Sequence, residues 1–400
     1  MKKKIISALL CVSMVATMVA GCGGSSDTTS ADNSNSGVAA TATESGSDAA
    51  ETDTTGDEGK VFNIYCWNEE FKSRLTDHYP GYEEVDATTG KIGDVTVKWN
   101  ITPSDDNAYQ NNLDATLLKQ ESAAADDKID LFLVEADYAL KYVDTDYTMP
   151  IADLGITDAD LANQYQYTKD IVTDSNGVLK GVSWQGCPGV LFYNRDAAKE
   201  VLGTDDPDEV QKYVSDWDTF NDTAETMKAA GYKMTSSVND TYRVYSNNVT
   251  SKWVEDGKIN IDDNIMKWVD QTKKYTDKGY NNKSSLWDST WAADQGPSGK
   301  VFGFFYSTWG INFTLLGNSL ATPVKEGGKE EVGNGIYGDY AVCEGPQSYY
   351  WGGTWICAAA GTDNANLVKD VMKTLCCDKA TMKKITEDTQ DYTNTTSGMN

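Results

Sequence analysis

Histidine is all but absent: His78 is the single one among 400 residues. A histidine-rich metal centre is thereby excluded, and a nucleophilic triad using imidazole would have to rest on this one side chain. Its loop-like setting between Thr76 and Gly81, ahead of Pro80, fits a surface residue better. Positive charge is scarce as well. Beyond the first 21 residues, 31 Lys and Arg stand against 61 Asp and Glu, a formal charge near −30. A field of that sign repels phosphate backbones and anionic lipid heads, which removes nucleic acid from the partners to be considered. There is no glycine-rich phosphate loop and no cofactor motif, so no cofactor is expected. After the amino terminus there is no apolar run long enough to span a bilayer. The six cysteines beyond residue 22 (Cys66, Cys187, Cys343, Cys357, Cys376 and Cys377) match no zinc or redox spacing. Cys376 and Cys377 are too close to form an ordinary relaxed disulfide with each other. Three bridges are open to an extracytoplasmic chain, but a chain this long does not need them, and buried free thiols are favoured.

What is present begins with Met1–Gly21, which has Lys2, Lys3 and Lys4 at its start, an apolar centre and small residues at its end. This is the pattern of a secretory signal rather than of a mature helix. It runs into Val19-Ala20-Gly21-Cys22, which resembles the lipobox of bacterial lipoproteins, with Cys22 as the lipidated first residue of the mature chain. Several acyl chains on that residue would give stable anchoring where a single one would not. Residues 22–59 are Ser, Thr, Asp, Ala and Gly with no aromatic residue, and are expected to be a disordered tether. A flexible coil of that length would reach about 35 Å.

The 341 residues from Lys60 onward exceed what one hydrophobic core usually covers, so two lobes are expected. The pattern along them is α/β. Strands are predicted at Lys60–Cys66, around Val95–Ile101 and at Ile129–Val134, with helices between them carrying Phe71 and Leu75, then Tyr109, Leu113 and Leu117. Asp206-Pro207, Asp216 and Asp262 or Asp263 read as helix starts, and Gly231 and Gly279 as helix stops. Further strands are predicted at Lys300–Tyr306, Tyr337–Cys343 and Trp355–Ala360. The stretch Gly181–Asp196 breaks at Gly186 and Pro188-Gly189 before an apolar run, and reads as a crossing from one lobe to the other.

Ligands of open α/β sheets bind beyond the carboxyl ends of the strands. Trp67-Asn68, Glu135 to Tyr138, Trp309, and Trp351 with Trp355 fall at such ends, and Trp287 and Trp291 lie in a polar, loop-like segment. Trp99, Trp217, Trp253 and Trp268 follow strand or helix periodicity and are assigned to packing. Loop indoles flanked by amides and carboxylates suit a pyranose, whose C–H face stacks on the ring while its hydroxyls need polar partners. A glycosidase would need two facing carboxylates. Glu135, Asp137, Glu344 and Asp391 are available for that, but sequence pairs none of them, and binding without catalysis is preferred.

Several segments together resemble extracellular solute-binding proteins of the carbohydrate class, the lipoprotein receptors of bacterial ABC importers. They are Tyr65-Cys66-Trp67-Asn68, Ser183-Trp184-Gln185, Cys187-Pro188-Gly189, Tyr193-Asn194-Arg195-Asp196 and Gly203-Thr204-Asp205-Asp206-Pro207. Ser307-Thr308-Trp309, Trp351-Gly352-Gly353-Thr354-Trp355 and Asp388-Thr389-Gln390-Asp391 belong with them. The resemblance implies a two-lobed, periplasmic-binding-protein-like α/β fold closing on an oligosaccharide. Crossings would lie near Ser183–Gly189, Cys343–Tyr350 and Asp388–Tyr392. Lobe one would be residues 60–185 plus 351–387. Lobe two would be 186–350 plus 388–400; members of this family usually continue with further helices, which implies either a short second lobe or a sequence incomplete at its carboxyl end. The implied partners are an oligosaccharide and a membrane permease. The implied form is a monomer tethered by lipid to the outer face of the cytoplasmic membrane of a Gram-positive bacterium. The ligand contacts expected from all of this are Trp67, Asn68, Glu135, Asp137, Trp184, Gln185, Trp291, Trp309, Trp351, Trp355 and Asp391. A surface-anchored glycoside hydrolase and a receptor for a non-sugar solute are the alternatives.

Overall fold

The computed structural model describes residues 59–396. The signal segment, Cys22 and all but the last residue of the tether lie outside the described residues. The strands of the described part are, in chain order, β1 (Val61–Cys66), β2 (Tyr82–Asp86), β3 (Thr89–Ile92), β4 (Val95–Ile101) and β5 (Leu131–Glu135). There follow β6 (Gly189–Asn194), β7 (Val254–Glu255), β8 (Lys258–Ile259), β9 (Gly303–Ser307), β10 (Tyr340–Cys343) and β11 (Thr354–Ala358).

Apolar side chains on both faces of β1 and β5 demand cover from two sides, and these strands sit in the middle of a six-stranded sheet of order β11-β5-β1-β4-β3-β2. β1 runs parallel to β4 and β5, with Ile64 opposite Trp99 on one side and Leu131 on the other. β11 returns from far along the chain and pairs antiparallel with β5, with Trp355 opposite Val134. One face of the sheet packs Phe62, Ile64, Phe71, Leu75, Val371 and Leu375 into a core; the other packs Tyr109, Leu113, Phe132, Val134 and Tyr142. The β2–β3 hairpin was not anticipated. Its sequence, Tyr-Glu-Glu-Val-Asp, has no apolar alternation because it forms the solvent-exposed edge of the sheet, where charge discourages further pairing.

The second lobe is built on a three-stranded antiparallel sheet, β10-β6-β9, in which Leu191 faces both Phe305 and Cys343. Its core holds Leu191, Tyr193, Phe220, Phe304, Tyr306 and Trp291. The helix signals of the sequence operate as expected. Asp206 caps Pro207–Gln211, and Asp216 closes a capping box with Thr219 ahead of Trp217–Ala229. Asp262 caps Asp263–Lys278, which Gly279 ends with a φ of 72°. Within that last helix the buried stripe is Ile265, Gln271 and Tyr275, while Met266 and Val269 face outward. Trp253, expected to pack, is instead exposed beside the small β7–β8 hairpin.

Among the described residues the chain passes between the lobes twice, between Trp184 and Leu191 and between Trp351 and Trp355, and the segment around Thr393 lies beside the first passage. Val182 bridges to Ile356, Gln185 to Thr393 and Pro188 to Tyr350. A ladder of tyrosines lies along them, Tyr392 on Tyr165, Tyr165 on Tyr167 and Tyr167 on Tyr350, with ring centroids 6.1, 5.9 and 5.4 Å apart. The lobe boundaries differ from the expected ones in two respects. Residues 388–396, expected in lobe two, belong to lobe one: the Asn394 N–H donates to the Trp184 carbonyl at 2.7 Å and the Thr396 N–H to Asn163 at 2.9 Å. The helix before them, Lys379–Thr389, packs on Glu70–His78 and Ala365–Cys376. Trp351, expected in lobe one, enters the core of lobe two. All six cysteines among the described residues are unpaired, five of them buried and Cys377 partly so, in line with the reading as free thiols.

Trp184 lies at the pivot and is fully buried, its ring 5.5 Å from Phe71 in the core of lobe one. Trp184→Ala is therefore expected to cost about 3–5 kcal/mol of folding stability in urea denaturation. A loss below 1 kcal/mol would return this residue to the list of ligand contacts.

Candidate ligand-binding site

A cleft of about 600 Å³ lies between the two lobes. Its lobe-one wall is assembled from strand and helix ends. Trp67 and Asn68 follow β1, and the Asn68 Oδ1 accepts from the Glu70 N–H at 3.0 Å to start the helix Glu70–His78. Glu70 and Arg74, one turn apart on that helix, both line the cleft. β5 contributes its last residue, Glu135; the first crossing contributes Gln185; and the turn after helix Lys379–Thr389 contributes Asp391.

These polar groups hold one another. The Gln185 amide donates to Glu70 Oε1 at 2.8 Å and its oxygen accepts from the Thr354 N–H at 3.1 Å. Arg74 binds Asp391 through Nε at 3.0 Å and a terminal nitrogen at 2.8 Å, and the Trp184 indole N–H reaches the same carboxylate at 3.3 Å. Glu135 Oε2 accepts from the Asp137 N–H at 2.9 Å. Burial, reinforced by the charge of Asp391 and opposed by Arg74, pushes the Glu70 carboxyl up to about 7. Burial, with the charge of Asp137 and against that of Arg243, does the same for Glu135, also to about 7.

The opposite wall is aromatic. Trp287 stacks on Trp309 with centroids 6.2 Å apart, Trp309 meets Trp351 edge-on at 5.3 Å, and Phe313 closes the group at 5.8 Å from Trp309. The Trp309 indole N–H is anchored on the Trp351 carbonyl at 2.7 Å. That approach needs Gly352, where φ is +70° and a Cβ would sit 3.1 Å from the same indole nitrogen. Trp287 itself has a φ of 73° and is half exposed. A bulky side chain in the left-handed region costs on the order of 1–2 kcal/mol, and such strain concentrates at functional positions.

Of the residues expected to contact ligand, Trp67, Asn68, Glu135, Gln185, Trp309, Trp351 and Asp391 line this cleft. Four do not. Trp184 and Trp355 are buried in the two cores of lobe one, and Trp291 is buried in lobe two with its indole N–H on Asp240 at 3.1 Å. Asp137 faces Arg243 outside the cleft lining. Trp291 and Trp287 exchange roles because Asp288 caps the helix Ser289–Asp294, turning Trp291 inward and leaving Trp287 ahead of the cap on the cleft side. Glu70, Arg74, Asn312 and Phe313 were missed. Glu70 and Arg74 could have been found from their one-turn spacing directly after the Trp67-Asn68 strand end.

Two lobes with separate cores, two passages of the chain between them and a cleft lined from both sides define a hinged ligand-binding protein. Residues 84–399 match the family described as bacterial extracellular solute-binding protein, and the chain belongs to that family. No curated protein matches it. Among solved structures it is similar to an extracellular solute-binding protein of family 1, at 17% identity and TM-score 0.66 over 84% of this chain and 79% of that one. It is similar also to the sugar-binding protein MalE of Xanthomonas citri, at 13% identity and TM-score 0.61 over 84% and 80% of the two chains. A third is the galacto-N-biose/lacto-N-biose I-binding protein of a Bifidobacterium longum ABC transporter, at 15% and 0.56 over 86% and 80%. At these identities the likeness establishes the fold.

The two raised carboxyls make stability depend on pH in a defined sense. Between the ordinary value of 4.5 and about 7, the folded protein keeps protons on Glu70 and Glu135 that the unfolded chain has lost. Their contribution therefore falls as pH rises through that window. Melting temperature measured from pH 5 to 8 should decline less steeply in Glu70→Gln and Glu135→Gln than in the parent. Identical slopes would show that neither group is perturbed.

Proposed function

We propose that the protein is an extracytoplasmic receptor that captures an oligosaccharide between its lobes and delivers it to the permease of an ABC importer. The observation that carries this reading is the division of the cleft. One wall presents mainly the rings of Trp287, Trp309, Trp351 and Phe313, with Thr308 and Asn312, and the other presents mainly Asn68, Glu70, Glu135, Gln185 and Asp391, with the ring of Trp67. A sugar needs both, a flat apolar surface for its C–H face and acceptors and donors for its hydroxyls. Similar solved structures include receptors bound to lacto-N-biose, β-1,6-galactobiose and maltose, which supports a carbohydrate ligand. Several rings along one wall favour more than one sugar unit.

Capture involves no chemistry in this reading. Asp391 is ion-paired with Arg74 and Asp137 with Arg243, and Glu70 is held by Gln185 and Glu135 by the Asp137 N–H, so each of these carboxyls already serves a structural partner. Ligand bridging the lobes stabilises the closed form by its differential contacts, and the closed form is what a permease distinguishes. The lipobox at Cys22 supports tethering to the outer face of the cytoplasmic membrane, with the protein acting as a monomer.

A panel of glycans read by thermal shift identifies the ligand class, because a molecule that binds only the folded state raises its melting point. With the best ligand, Trp287→Ala should weaken calorimetric affinity by about 1–3 kcal/mol, with little change in the melting point of the free protein. Above about pH 7, where Glu70 and Glu135 are ionised, three carboxylates against one guanidinium in the lining predict that uronic-acid oligosaccharides bind more weakly than neutral ones of equal length. Release of new reducing ends from any glycan would overturn the receptor reading in favour of a hydrolase. Saturation by peptides alone would favour another solute.

A further inference from the structure

Asp137 and Arg243 lie 106 residues apart in sequence and on different lobes, yet the two terminal nitrogens of the Arg243 guanidinium donate to the two carboxylate oxygens of Asp137. Each partner is fixed to its own lobe. Asp137 follows β5 directly, and its N–H is held by Glu135 Oε2. Arg243 sits on the helix Tyr242–Ser246, whose Val244 is part of the lobe-two core. Every other ion pair among the described residues joins groups of the same lobe; the pairs Arg74–Asp391, Lys180–Asp174, Lys373–Asp160 and Arg195–Asp205 are examples. The guanidinium also lies 5.6 Å from the ring centroid of Trp351, a member of the aromatic wall, and within electrostatic reach of Glu135. Neither Asp137 nor Arg243 lines the cleft.

We propose that the Asp137–Arg243 pair is a latch between the lobes, formed in the closed state and broken in the open one, which sets ligand affinity without touching the ligand. The inference rests on the receptor reading for its functional meaning. Groups rigidly attached to opposite lobes separate when the lobes rotate apart about the crossings, so the pair favours the closed state alone. A contact with that differential character shifts the population of the binding-competent form, and apparent affinity follows that population. A two-pronged guanidinium–carboxylate contact backed by an indole is stronger than an ordinary surface pair. With 24% of the Arg243 side chain and 49% of the Asp137 side chain exposed, it remains open to screening by salt.

Asp137→Asn tests this with little disturbance, since the N–H that serves Glu135 is retained. Small-angle scattering of the ligand-free protein should give a larger radius of gyration for the variant than for the parent. Affinity for the tightest glycan should fall roughly 5- to 20-fold, mostly through faster dissociation. The weakening of binding that the parent shows in 1 M salt should largely disappear in the variant. Arg243→Gln should behave alike, and exchanging the charges, Asp137→Arg with Arg243→Asp, should recover part of the loss. A radius of gyration unchanged in both single variants overturns the latch whatever the affinity does. If no glycan binds the parent, the receptor reading fails, while the scattering comparison still decides on the latch.

Discussion

The side-chain amide of Gln185 is the point on which the joined lobes depend. It is almost fully buried, and a buried amide must have its hydrogen bonds met. They are met by groups from three parts of the chain: the carboxyl of Glu70, the N–H of Thr354 at the start of β11 and the thiol of Cys187. The same residue bridges through its backbone to Thr393. Crossings distant in sequence are thus fixed against one another by one side chain, and one of its partners, Glu70, is itself a wall of the cleft. The placement of the polar wall and the alignment of the crossings are consequently one structural fact.

The two lobes bring different physics to the cleft. Lobe one presents charge and amide groups that are already mutually satisfied, so a ligand must offer comparable hydrogen bonds to compete with the existing ones. Lobe two presents rings, which are indifferent to the pattern of hydroxyls and reward flat apolar faces. Discrimination between ligands therefore draws mainly on the polar groups of lobe one, and general attraction on the rings, Trp67 of lobe one included. A change on the aromatic side is expected to alter affinity across many ligands together. A change among Asn68, Glu70 and Gln185 is expected to reorder them.

Much of this was legible in the sequence. The apolar runs of β1 and β5 identified central strands, because only a strand covered on both faces tolerates such runs. Asp216 and Asp262 identified helix starts through their capping chemistry. What escaped depended on direction rather than composition. A tryptophan beside a break reads the same whether its ring points into a core, as Trp184 does, or into solvent, as Trp287 does, and only the capping geometry around Asp288 separates Trp287 from Trp291. The hairpin of β2 and β3 escaped because an exposed edge has no periodicity to read. The pairing of residues 393–396 with lobe one escaped because hydrogen bonds of the backbone leave no mark on residue type.

The six unpaired thiols carry a consequence for how long such a protein lasts outside a cell. Burial pushes Cys66 and Cys377 up to about 12 and Cys343 to about 11, so in the folded state each is a protonated, unreactive group. Unfolding returns them to water and to their ordinary acidity, where a thiolate is available to oxidise or to form mismatched bridges. Oxidation then requires the chain to open, so its rate scales with the population of opened chains as well as with the oxidant around them. In air the protein's lifetime becomes a measure of how much of it is open, whereas in anoxic surroundings the same excursions leave no trace.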